Sequence, residues 1–95
     1  MEQAMMELDI EAVAGGASLD LGSRKVLPKQ VVASGSGASS VTLPAASKFK
    51  EIPIVVINKS DDTCTVGGVA CATAEVTVIY SDGSSYVELY AVATA

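Results

Sequence analysis

The pattern that most constrains the fold is a series of short apolar segments that end at proline, glycine or aspartate. Ser40–Ala46 (SVTLPAA) is stopped by Pro44, because proline has no amide hydrogen for strand pairing. Ile52–Ile57 alternates apolar side chains towards both faces of a strand. Tyr80–Val87 (YSDGSSYV) contains the Asp-Gly pair of a tight hairpin. These signals predict an all-β fold, a small antiparallel sandwich or barrel-like domain over residues 17–95.

The chain is more apolar than its length explains. It has 95 residues, of which 49% are hydrophobic and 18% charged. A domain of this size buries a smaller share of its surface on folding than a larger one. The apolar excess therefore predicts contacts between subunits.

Charge and residue usage exclude several classes of function. A net charge of -5 with only six basic residues does not provide the clustered positive charge that nucleic acid requires. No apolar run approaches the roughly 20 residues of a membrane span, and the acidic start does not resemble a signal peptide, so we expect assembly in a cytoplasm. The absence of histidine removes Ser-His-Asp and Cys-His arrangements, and the sequence therefore predicts no enzyme.

The first 16 residues form a separate region. They have a helix-forming composition and end at Gly15-Gly16. A helix this short is marginal in water, so the segment is expected to be an extended arm or a short helix that docks on a partner. The predicted contact residues on this arm are Met5, Met6, Leu8 and Ile10.

A Gly67-Gly68 pair predicts a hairpin in which the two cysteines face each other. In this register Cys64 lies opposite Cys71, at a Cα separation of about 5.5 Å that a disulfide tolerates. A reducing cytoplasm would instead leave both thiols free, packed as small apolar side chains. A metal site at these thiols needs two further ligands, which one chain lacks unless symmetry supplies them. The sequence leaves the disulfide open and predicts no metal.

A second hairpin is predicted at Asp82-Gly83. If these residues form a two-residue loop, Val78 lies opposite Val87 and Val76 opposite Leu89. This register gives one continuous aliphatic face.

Two polar segments allow a functional or a purely local interpretation. Asp61-Asp62 and Asp82 offer carboxylates to calcium, but acids between strands more often satisfy the backbone of solvated turns. Ser34–Ser40 (SGSGASS) has the composition of a linker, although its length favours a surface loop between two strands.

Three tyrosines cluster near the C-terminal hairpin. Tyr80, Tyr86 and Tyr90 could stack on sugars as a platform, whereas packing or subunit contact is the more common role of such amphipathic rings. We predict that Tyr86 and Tyr90 contact a partner protein.

The order of these segments resembles small β modules of tailed-phage structural proteins. In such modules a VTLPAA-like strand end precedes an I-x-I-x-N strand, a polar turn, a TV strand and a closing SDG hairpin. The corresponding positions are Val41–Ala46, Ile54–Asn58, Thr65-Val66 and Ser81–Tyr86, and the resemblance spans Ser34–Val92.

The resemblance implies a virion structural protein without catalytic residues or cofactors. Such modules occur in tail fibres, fibre tips and capsid-surface proteins, and they are often trimeric. No heptad stalk or collagen-like repeat precedes Ser34, which favours a capsid decoration (cement) protein. The expected partner is the major capsid protein or another virion protein, bound at the capsid surface by a homotrimer. The alternative is a tail-tip or tail-fibre module that binds a receptor or glycan through Lys59–Thr63 and the tyrosines.

Overall fold

The computed structural model describes residues 9–94, which form an all-β fold of two sheets. The strands are β1 (Ile10–Ala14), β2 (Ser18–Asp20), β3 (Gln30–Ser34), β4 (Ser39–Thr42), β5 (Ile54–Asn58), β6 (Cys64–Val66), β7 (Val69–Cys71), β8 (Glu75–Ser81) and β9 (Tyr86–Ala93). A single 3-10 turn, Ala46–Lys48, precedes β5 among the described residues.

The chain passes back and forth between a five-stranded sheet of order β1-β3-β5-β8-β9 and a four-stranded sheet of order β2-β4-β6-β7. Strands β1, β3 and β5 are parallel neighbours in the first sheet, as are β2, β4 and β6 in the second. Among the strands of residues 9–94, only the β6-β7, β5-β8 and β8-β9 pairs are antiparallel. The all-β prediction is confirmed, but both sheets are mixed. Parallel neighbours arise because each connection passes through the opposite sheet, which turn signals do not reveal.

One core lies between the sheets. Ile54, Val56 and Ile79 of the five-stranded sheet join Val41 and Val66 of the four-stranded sheet in a single buried cluster. Each of these side chains is one of the alternating inward residues of its strand. The core therefore uses only the inner face of each sheet.

The turns between the sheets stack on one another at one end of the strands. Gly15 N–H donates to the Ser34 carbonyl at 2.7 Å, and Asp61 N–H donates to the Gly35 carbonyl at 3.1 Å. Gly37 N–H donates to the Asp61 carboxylate at 2.9 Å. Residues 35–38, within Ser34–Ser40, therefore form the connection from β3 to β4, as the surface-loop interpretation predicted.

The two predicted hairpin registers have different outcomes. Cys64 lies opposite Cys71, as predicted. The second register is wrong, because Ser81 pairs with Tyr86 around a four-residue loop, and a bulge follows between Val78 and Ile79.

Hydrogen bonds to Asp82 explain the longer loop. The Asp82 carboxylate accepts from Ser84 N–H at 2.9 Å and Ser85 N–H at 3.0 Å, and Asp82 N–H donates to the Ser85 carbonyl at 3.0 Å. The two bonds to the carboxylate hold the pKa of Asp82 below its usual value, and the bond from Ser85 contributes most. Side-chain capping of the turn thus overrides the preference of Asp-Gly for a two-residue loop.

The N-terminal region is partly integrated into the domain. Ile10–Ala14, predicted to belong to an arm or short helix, is strand β1 at one edge of the five-stranded sheet. Glu11 on this strand accepts a hydrogen bond of 2.7 Å from Arg24, in a largely buried ion pair. The predicted contacts Met5, Met6 and Leu8 lie outside the described residues.

Candidate interaction surface

The outer face of the five-stranded sheet is apolar across all five strands. Strand pairing aligns the outward side chains in two rows, which we call the apolar outer face. The first row is Ala12, Val32, Ile57, Val76 and Val92, and the second is Ile10, Gln30, Val55, Val78 and Tyr90. None of these side chains carries a charge, and Gln30 is the one amide among them.

The outer face is most exposed along its two edges. Ile10 on β1 is 57% exposed, and Tyr90 and Val92 on β9 are 53% and 56% exposed. The central residues Val55 and Ile57 are half-buried, and Val78 is buried. Large apolar side chains exposed in one patch typically mark an interaction site.

A third group of side chains extends the apolar outer face at one end. Tyr80 and Leu89 line a shallow hollow of about 280 Å³ with Glu51 and Pro53. Leu89 is the residue that the β9 bulge adds, and it is 55% exposed. With strands about 4.8 Å apart and side chains on one face about 6.8 Å apart, two rows on five strands and the third group on β8 and β9 cover about 400 Å².

The outer face of the four-stranded sheet has a different chemistry. Ser18, Ser40 and Thr65 align across β2, β4 and β6, and Ser40 Oγ donates to Ser18 Oγ at 3.1 Å. Asp20 and Thr42 form the neighbouring row. One side of the domain is thus apolar and the other rich in hydroxyls.

The structure places only part of the predicted contact set on the apolar outer face. Ile10 and Tyr90 belong to the same row, at opposite edges of the five-stranded sheet. Tyr86 is instead a core residue, 9% exposed, whose hydroxyl donates to the Pro44 carbonyl at 2.9 Å. Tyr86 pairs with Ser81, on the inward-facing side of β8 that also carries Ile79, so its ring points into the core. The three tyrosines therefore do not form one platform, since Tyr80 and Tyr90 face the other side.

The two cysteines are buried and form no disulfide in this structure. They face each other across the β6-β7 hairpin, where the Cys71 thiol donates to the Val69 carbonyl at 3.6 Å. Burial, with a smaller contribution from Cys64, raises the pKa of Cys71 to about 11. The thiols therefore act as apolar core groups.

Alkaline pH is expected to destabilise the fold through Cys71. Its pKa is 9.0 without burial and about 11 in the folded chain, so above pH 9 the unfolded state loses the thiol proton first. The free energy of unfolding should fall between pH 9 and about pH 11, a range set by the same two pKa values. Denaturant unfolding of wild type and Cys71→Ala measures this decline, which should be shallower in the variant. Burial also raises the pKa of Tyr86, so Tyr86→Phe serves as the parallel comparison. Equal slopes in wild type and Cys71→Ala would contradict the prediction.

The acidic residues that the sequence suggested as calcium ligands instead accept hydrogen bonds from backbone N–H groups in turns. Asp61 accepts from Gly37 N–H at 2.9 Å, and Asp62 accepts from Thr63 N–H at 2.7 Å. Within residues 9–94, no three or more acidic or thiol side chains are grouped so as to hold a metal ion. The described carboxylates therefore support the turn interpretation.

Comparison with known proteins finds no family model, curated protein or solved structure that matches the chain. None of the helical segments in residues 9–94 is long and apolar enough to cross a membrane.

Most of the apolar outer face was not predicted from the sequence. Val32 and Val92 belong to it although no predicted hairpin or motif assigned them a role. The available signal was the double-sided apolar pattern of Ile52–Ile57, which indicated that β5 is covered on both faces. The other strands became part of the same face only through their pairing with β5.

Proposed function

We propose that this chain is a virion structural protein, a capsid decoration (cement) protein that stabilises a phage head by binding between major capsid subunits as a homotrimer. The observation that carries the proposal is the apolar outer face, a surface of about 400 Å² by strand spacing through which a homotrimer can assemble. Such a face suits association and offers no group for chemistry. The phage assignment comes from the resemblance of Ser34–Val92.

A decoration protein acts by adding contacts between capsomers. Each contact removes apolar area from water, worth about 25 cal/mol per Å² before the cost of association. Once one subunit of a trimer binds, its neighbours are held close to their own sites at a high effective concentration. Stabilisation of the shell therefore requires only that apolar area is buried at each contact and that the subunits of one trimer hold one another close to their sites.

Purified shells assembled without this protein test the proposal. Wild-type protein should bind them at a fixed stoichiometry and raise the temperature at which they dissociate, as measured by sedimentation and light scattering. Serum albumin at the same concentration controls for nonspecific adsorption. Shells that neither bind the protein nor gain heat stability would rule out the decoration function.

A tail-tip or tail-fibre module that binds a receptor or glycan is the second candidate, and a hydroxyl-rich groove favours it. The groove has a volume of about 450 Å³ beside the outer face of the four-stranded sheet. Thr42, Thr65, Ser84 and Ser85 are among its lining residues, with Tyr86 beside them. Hydroxyls next to an aromatic ring suit a carbohydrate. Saturable binding on a glycan array that Thr65→Lys abolishes would support this function, and an array without binding would count against it.

A further inference from the structure

We infer that the apolar outer face is where copies of this chain bind one another. The inference rests on the proposed function and names the partner at this surface, a second copy rather than the shell. Three features of the described residues carry it: the distribution of charge, the position of Gln30 and the area of the face.

The distribution of charge favours contact between identical chains. The chain carries a net charge of -5, so most orientations of two copies bring like charges together. The two rows of the apolar outer face contain no charged side chain from β1 to β9. Two copies that meet through this face therefore keep their charges at the rim, where water and salt screen them.

The amide side chain of Gln30 is suited to a partner surface that also presents an amide. It lies in the second row between Ile10 and Val55. Burial of its amide against a purely apolar surface would leave donors and acceptors unsatisfied, which is costly. An amide offers both donors and an acceptor, so Gln30 of one copy can pair with Gln30 of another near a symmetry axis.

The area of the face suits a small interface between two copies. Two copies that cover about 400 Å² each bury about 800 Å² together, which is the size of a weak, reversible interface.

Sedimentation equilibrium of the full chain tests this inference. Wild type should sediment as an oligomer, three times the 9.6 kDa chain mass for the trimer. Val92→Lys and Tyr90→Lys place a charge at exposed positions of the face and should weaken association about 100-fold. Thr42→Lys is the matched control, since it adds the same charge to an exposed strand position on the opposite sheet and should keep the wild-type mass. Circular dichroism and thermal melting check that each variant is folded.

A second pair of variants separates contact between copies from general surface damage. Gln30→Glu places identical carboxylates near each other in the oligomer, so association should weaken at pH 7 and recover below about pH 4, where the carboxyl is protonated. Gln30→Leu removes the amide and should leave the oligomer at least as stable at both pH values. A merely structural role of Gln30 would not produce this dependence on pH.

The outcomes distinguish this inference from the proposed function. A wild-type monomer at high micromolar concentration would overturn the inference, whatever the shells bind. Val92→Lys and Tyr90→Lys proteins that remain oligomeric but no longer bind shells would also overturn it, because the face would then belong to the shell contact. An oligomer that Val92→Lys dissociates, and that does not bind shells, would support the inference and contradict the decoration function.

Discussion

Asn58→Ala is expected to lower the free energy of unfolding by about 4 kcal/mol, because several buried polar groups would lose their partners. Asn58 has no exposed surface and ends β5 at the turn stack. Its amide nitrogen donates to the carbonyls of Asp62 and Cys71, both at 2.9 Å. Its side-chain oxygen accepts from Ser60 N–H at 3.0 Å and from the Ser60 hydroxyl. One side chain thus links β5, the following turn and β7.

Urea unfolding and thermal melting measure this loss, which corresponds to a fall in Tm of about 20 °C for a domain of this size. Asn58→Asp is the shape-matched variant, because it removes the two donors and leaves the volume unchanged. It should also be strongly destabilised, since a carboxylate would face the Asp62 and Cys71 carbonyls. Lys59→Ala, one residue later and exposed, should change stability by less than about 0.5 kcal/mol. Near wild-type stability of Asn58→Asp would show that the hydrogen bonds contribute little.

Gly15→Ala is expected to cost about 3 kcal/mol, because the added methyl group would collide with backbone. A Cβ at Gly15 would lie 2.2 Å from the Ser36 carbonyl oxygen and 2.7 Å from the Ser36 nitrogen. Gly15 N–H also donates to the Ser34 carbonyl at 2.7 Å. The clash therefore cannot be relieved unless two turns of the stack separate.

Gly16→Ala provides the matched control at the next residue. Gly16 has a φ of +81°, while the nearest atom to an added Cβ, the Ser36 oxygen, is 3.9 Å away. This variant should suffer only the strain of a left-handed backbone, about 1 kcal/mol. Denaturant unfolding of both variants gives their free energies of unfolding, and so compares the cost of the clash at Gly15 with the cost of the strained backbone at Gly16. Equal losses, or a greater loss for Gly16→Ala, would contradict the close approach of the turns.

Local signals in the sequence predicted the features that depend on neighbouring residues. The Gly67-Gly68 turn set the register of the cysteine hairpin, because two glycines adopt the positive φ values that a two-residue loop needs. The Asp82-Gly83 signal failed, although it looked equally strong. There the Asp82 carboxylate accepts hydrogen bonds from the backbone N–H groups of Ser84 and Ser85, which lie beyond the glycine, and the loop is longer as a result.

The sequence predicted the residues of the candidate surface less well than it predicted the fold class. Tyr86 and Tyr90 are both on β9, yet one is buried and the other exposed. Tyr86 and Tyr90 are four residues apart and would share a face on a regular strand, but the bulge after Glu88 inserts one residue between them. An insertion of one residue moves every later side chain to the opposite face, so Tyr90 points outwards while Tyr86 points into the core.

The sequence by itself determined that this protein is built of strands, where most of its turns lie and that it holds more apolar residues than one core can enclose. These properties depend on composition and on contacts between residues close in the chain. The tertiary structure alone decided that β1, β3 and β5 are parallel neighbours, that Val32, Ile57 and Val92 share one outer face and that an added Cβ would collide with Ser36 at Gly15 but not at Gly16. The physical reason is that these contacts join segments distant in the chain, such as Ile10 with Gln30 and Val32 with Ile57, whose pairing minimises the free energy of the whole fold rather than of any one segment.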